Sequence, residues 1–207
     1  MAKIILSVPH AHCRSESDKI LHFCDVVAGP VAEELSKRLQ AAGHEVFLHL
    51  GDINREETDL NRSESRGTKF RKDLEADFPK AEILVDVHST PRSRLNWTED
   101  IVILKWQTEE VDNRHLTYDL AKKLIETDLD VSITPARAQD DIVDQALHAK
   151  LPAVLVEFSE LSFADDPDWF ITKFVDGFSR FLESFKELQP VDSMKESLLR
   201  LSSLMRK

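Results

Sequence analysis

An α/β three-layer sandwich with a mostly parallel central sheet is the fold class that this 207-residue sequence predicts. Three observations carry the expectation. Short apolar segments alternate along the chain with longer stretches of helical periodicity, the pattern of strand–helix–strand units. Two segments, Ile83-Leu84-Val85-Asp86-Val87 and Val154-Leu155-Val156, are nearly continuous apolar runs, which suits strands covered on both faces. The 42% apolar content is enough for one substantial core, and no low-complexity tract or fixed-period repeat divides it.

Taken in order, strands are expected from Lys3 to Val8, Glu45 to Leu50, Glu82 to His88, Asp100 to Lys105 and Ala153 to Phe158, with a sixth from Val131 to Thr134. The first helix is expected from Val26 to Ala42. Val27, Val31, Leu35 and Leu39 recur there in steps of four, and Gly43 stands where a helix-ending glycine belongs. Further helices are expected from His115 to Thr127, Asp140 to Lys150 and Pro167 to Glu187. In the last of these, Phe170, Phe174, Phe178, Phe181 and Phe185 form a stripe that reads as core. After Pro190 the pattern becomes a short amphipathic helix with Leu198, Leu201 and Leu204 or Met205 on one side. Residues 1–188 are therefore read as one domain and 189–207 as a tail that packs on it or meets a protein partner.

A net charge of −11 and a pI near 5.2 work against attraction to nucleic acid or anionic membranes, which clustered Lys and Arg drive. A small-molecule substrate fits better. Cys13 and Cys24 form no C-x-x-C pair, so neither a disulfide framework nor a cysteine metal cluster is expected, and the default compartment is the reducing cytoplasm. The N-terminal apolar run ends by Pro9 and His10, too early for a signal peptide or a membrane span. The five glycines form no phosphate-binding loop after any expected strand.

Functional residues of such sheets gather where strands end and helices begin. That rim collects His10, His12, Glu16 and Asp18 after the first strand, Asp52 to Arg62 after the second, His88 at the end of the third and Glu157 within the last. Imidazoles and a carboxylate to hold an ion, an open position for water and a second carboxylate to take its proton are the ingredients of metal-assisted hydrolysis. A carboxylate inside an apolar strand, as at Glu157, costs on the order of several kcal/mol if unpaired, so packing does not explain it. Asp59-Leu60-Asn61-Arg62 offers a guanidinium able to clasp a carboxylate through two parallel hydrogen bonds, although the same composition suits a solvated loop. Arg92, Arg94 and Arg137 are additional cationic candidates. Cys13 beside His12 is a poor nucleophile–base pair, because adjacent residues of an extended segment point in opposite directions.

Pro9-His10, Asp59-Leu60-Asn61-Arg62, Val85-Asp86-Val87-His88-Ser89 and Pro152-Ala-Val-Leu-Val-Glu157 look like the successive motifs of N-formylglutamate amidohydrolase-like proteins, in the same order. The resemblance covers about residues 4 to 160 and extends in part to zinc carboxypeptidases and N-acetylmuramoyl-L-alanine amidases. It implies a phosphorylase/hydrolase-like fold and one zinc ion held by His10 and His88. Asp25 is the third ligand by analogy with the amidases, with Glu16 and His12 as rivals. It further implies Glu157 as general base or acid, and Asn61 with Arg62 gripping a substrate carboxylate. The chain departs from these families after the first histidine, where Ala11 replaces the usual glycine.

The expected activity is thus zinc-dependent amide cleavage in a small N-acyl amino acid or peptide-like substrate. The alternatives are a zinc carboxypeptidase, or a binding or structural protein that keeps the hydrolase fold without the reaction and assembles through its C-terminal helix.

Overall fold

A computed structural model describes residues 1–12, 25, 27–90, 98–108, 111–136 and 141–188, of which 141 and 186–188 are described by backbone alone. The C-terminal tail lies outside these residues, as do Cys13, Glu16, Arg92, Arg94 and Arg137.

All six expected strands form: β1 (Lys3–Val8), β2 (Glu45–Leu50), β3 (Ile83–Thr90), β4 (Ile101–Lys105), β5 (Val131–Pro135) and β6 (Ala153–Ser159). They make one sheet in the order β2-β1-β3-β6-β4-β5, parallel except where β4 runs against β6. Burial follows that order. The central strands β1 and β3 are buried almost throughout, as their unbroken apolar runs require, whereas the edge strands β2 and β5 are half-exposed and β5 ends at Pro135.

Helices α1 (Ala28–Ala41), α3 (Arg114–Ile125) and α6 (Pro167–Leu188) cover one face of the sheet, and α2 (Lys69–Asp77) and α4 (Asp141–His148) cover the other. This is the expected three-layer sandwich. Helix α5 (Glu160–Asp165) links β6 to α6. The sequence reading missed α2, α5 and the 3-10 turn Ser63–Gly67.

Val31, Leu35 and Leu39 of α1 are buried as their spacing predicts. The helix ends in a paired backbone closure: Gly43 N–H donates to Gln40 O at 2.9 Å and His44 N–H to Leu39 O at 3.0 Å. Gly43 at φ +87° adopts the left-handed conformation that this closure needs. The phenylalanine stripe of α6 is core: Phe174, Phe178, Phe181 and Phe185 stack in succession with centroids 5.7–5.8 Å apart. Phe158 of β6 meets Phe170 and Phe174 edge-on. Each such ring contributes on the order of 1.5–3 kcal/mol by leaving water, so this stripe anchors the layer.

Chain direction also places the site. From β1 the chain crosses one face through α1 to β2, then returns across the other face through α2 to β3, on the opposite side of β1. The crevice at such a reversal lies at the carboxyl ends of β1 and β3, the ends that carry His10 and His88. Gly51 sets its geometry. The Gly51 N–H donates to Val8 O at 2.8 Å, and a Cβ there would fall 2.2 Å from Pro9 O, so only glycine lets the chain leaving β2 lie against the turn that delivers His10.

Candidate metal centre

His10, Asp25 and His88 converge with one donor atom from each lying within 4.8 Å of the others, and all three residues are buried. His10 follows β1, Asp25 precedes α1 and His88 belongs to β3, so three separate segments meet at the crevice. Oδ2 of Asp25 lies 3.1 Å from Nδ1 of His10 and 2.7 Å from Nδ1 of His88. The two rings stand edge to face with centroids 5.0 Å apart. The three residues could coordinate a metal ion. Among the described residues this is the one such group, and it contains Asp25 and not His12.

The far nitrogen of each ring also meets a carboxylate. Nε2 of His10 is 2.7 Å from Oδ1 of Asp59, and Nε2 of His88 is 3.1 Å from Oδ2 of Asp86. This is the carboxylate–histidine arrangement that orients ligand imidazoles and raises their basicity. If each Nε2–H donates outward, both Nδ1 lone pairs turn toward Oδ2 of Asp25, and three electron-rich atoms face one another. A divalent cation resolves that conflict, and so do two added protons; either brings two positive charges to the same place. The donor set of two imidazoles and a carboxylate therefore fits a metal such as zinc.

The electrostatics agree. Burial alone disfavours the His88 imidazolium, but the carboxylates of Asp86 and Asp25 outweigh burial and hold its pKa well above the ordinary histidine value. Burial would raise Asp25, yet the charge of His88 and hydrogen bonds from His10 and His88 hold it well below the usual carboxylate range. Asp59 is likewise lowered: burial is outweighed by the hydrogen bond and charge of His10, then by Arg55 and the Asn61 N–H.

The loop after β2 frames the cluster. Nη1 of Arg55 lies 3.5 Å from Oδ1 of Asp25, and Nε of both Arg55 and Arg62 lies 3.5 Å from Oδ2 of Asp59. Arg62 is partly exposed beside Asp59. Asn61 is buried, with its side-chain amide 3.3 Å from Nε2 of His88. An Nε2–H shared between Asp86 and Asn61 calls for the amide oxygen on the His88 side. Glu157 occupies the β6 position paired in register with His88, and Thr90, two residues beyond His88, donates its hydroxyl to Oε2 of Glu157. Neighbours paired in register share a face of the sheet, so Glu157 stands beside the cluster.

Asp59 and Asp86 lie within the sequence motifs and Arg55 within the rim segment, but none of the three has an individual role assigned from sequence. The period of two in a strand, which puts Asp86 on the face of His88, was the available signal for one of them.

No protein-family model matches the chain, and no curated protein matches it significantly. Solved structures do share its fold. A gene product of Agrobacterium tumefaciens superposes with a TM-score of 0.64 at 14% identity, over 89% of this chain and 92% of that one. An N-acetylmuramoyl-L-alanine amidase from Clostridium difficile 630 gives 0.60 at 12% identity, over 91% and 98%. A bacteriophage poly-gamma-glutamate hydrolase gives 0.55 at 11% identity, over 91% and 87%. The chain thus has the fold found in N-acetylmuramoyl-L-alanine amidases, with a buried His–Asp–His cluster at the carboxyl ends of its central strands.

Proposed function

We propose that this protein is a zinc-dependent amidohydrolase that cleaves an amide bond in an N-acyl amino acid or peptide-like substrate bearing a carboxylate, and that it works in the cytoplasm. The observation that carries the reading is the convergence of His10, Asp25 and His88, with Asp59 and Asp86 behind the two rings. The motifs resembling N-formylglutamate amidohydrolases support the substrate class. So does the fold shared with enzymes named for cleaving amides, a muramoyl-alanine amidase and a poly-gamma-glutamate hydrolase.

His10, Asp25 and His88 would hold the ion, which when bound supplies Lewis-acid polarisation of the scissile carbonyl and acidifies the attacking water. Glu157, beside His88 and oriented by the Thr90 hydroxyl, accepts the water proton and returns it to the leaving amine. Arg62, partly exposed on Asp59, presents its guanidinium to the substrate carboxylate. Asn61, pressed against His88, steadies the ring on that side.

Elemental analysis of protein purified without chelator or added metal tests the reading, with the His10→Ala and His88→Ala variants alongside. Near-equimolar zinc, lost in both variants, is the expected result. Absence of zinc after reconstitution of the wild type would refute it. Glu157→Gln should keep zinc and fold while turnover of N-acyl amino acids falls about 10²- to 10⁴-fold; wild-type turnover in that variant would remove Glu157 as the base.

A further inference from the structure

We infer that Arg71 is a positioning residue for the metal centre, acting through the backbone of the Asp59–Arg62 turn; the inference rests on the metal-centre reading above. Arg71 lies in the first turn of α2 and is fully buried. Its Nη1 donates to Leu60 O at 3.1 Å and to Arg62 O at 3.4 Å, and its Nη2 donates to the Gln145 side chain on α4. The Ser65 hydroxyl reaches the same two carbonyls, at 2.9 Å and 2.7 Å.

The turn is therefore gripped from within the protein at Leu60 and Arg62, the carbonyls on either side of Asn61. Its own bonds complete the shape: Asn61 N–H donates to Oδ1 of Asp59 and Arg62 N–H to Asp59 O, both at 3.0 Å. From this fixed frame Asp59 reaches Nε2 of His10 and Asn61 reaches Nε2 of His88. A shift of the frame would misalign an outer partner of both histidines at once. A buried guanidinium is a costly way to cap two carbonyls that an ordinary side-chain hydroxyl already meets; what it adds is a second arm, Nη2 on Gln145, while Nη1 holds both carbonyls. Through Gln145 the same guanidinium ties the turn to α4, on the layer that covers His88.

Zinc affinity by chelator competition and amide hydrogen exchange of residues 59–62 test this on Arg71→Met, Arg71→Lys and Gln145→Leu. The expected result is zinc affinity about tenfold or more weaker in Arg71→Met, with faster exchange at Asn61 and Arg62, and partial recovery of both in Arg71→Lys. Gln145→Leu, which keeps the guanidinium, is the milder variant should Arg71→Met fail to fold, and a several-fold weakening is expected of it. Reduced thermal stability with zinc affinity and exchange unchanged would overturn the inference. Should the wild type bind no zinc, the metal-centre reading fails by itself. The exchange data then still decide whether Arg71 holds the turn, and unchanged exchange overturns it.

Discussion

The two faces of the sheet are built on different terms. The face under α1, α3 and α6 is mainly hydrocarbon, with the phenylalanine stack of α6 pressed on Phe158 and the aliphatic stripe of α1, and the polar side chains its helices and their connection bury are the hydroxyls of Ser36, Thr117 and Thr127. The face under α2 and α4 buries a smaller apolar cluster and, among it, Arg71, Asp86 and His88. One oxygen of Asp86 and the hydroxyl of Ser7, paired with it in register, have no protein partner among the described residues. Burying an ionisable group costs more than burying a hydroxyl, and Arg71, Asp86 and His88 place that larger cost on the face of α2 and α4. The phenylalanine stack and the buried pair Asp86 and His88 thereby lie on opposite sides of one sheet.

That separation can be broken by experiment, and the largest effect should come from the apolar side. Phe178→Ala, in the middle of the stack, should cost about 3–5 kcal/mol by leaving a cavity. Zinc affinity of the molecules that remain folded should stay within about twofold, since distant sites act independently. Denaturant melts paired with chelator competition read both quantities, and a parallel loss of affinity would show that the faces are coupled.

On the polar side the pattern should invert. Asp86→Asn keeps the shape but removes the charge behind His88, and should weaken zinc about 10- to 100-fold. Its denaturation midpoint should move less than that of Phe178→Ala. A large stability loss with normal zinc affinity would mark Asp86 as structural instead.

The smallest effect is graded, in pH. The pKa of His88 is raised in the folded protein, so its contribution to the metal-free fold is complete below about 6.5 and lost as pH rises through the folded value. Asp25 is depressed, so its contribution is present above about 3.8 and lost as pH falls toward its folded value. Zinc must displace the His88 proton, so its affinity should rise by about tenfold per pH unit while that proton is bound. The rise in melting temperature on adding zinc should therefore grow from about pH 5.5 to about pH 8. A constant increment across that range would mean that no proton is exchanged.

The same contrast between faces explains how far the sequence could be read. Strands β1, β3 and β6 and helices α1 and α6 were legible because their burial is apolar and periodic. Helix α2 was not: of its nine residues the buried ones are Phe70, Leu74 and Arg71, and a buried arginine breaks the apolar rhythm that reveals a helix. His10 and His88 stood out because they end apolar strands. Asp59 and Asp86 did not, because an acidic residue acting behind a histidine leaves no spacing signature until the chain is folded. Asn61 is expected from the motif to grip a substrate carboxylate with Arg62; its added contact with His88 depends on the tertiary grip on its turn.

The reversed strand β4 carries a further consequence. Because β4 is antiparallel to β6 and β5 follows β4, the rim beside Glu157 is continued by strand beginnings: Ile101 pairs with Phe158, and Asp100 O accepts from Ser159 N–H at 2.9 Å. None of the candidate ligands comes from that half. The candidate metal centre and Glu157 thus lie in the half of the sheet formed by β2, β1, β3 and β6, while β4 and β5 supply only its flank. Under the proposed function the sheet is divided into a half that holds the reacting groups and a half that only borders them, a tool and its handle.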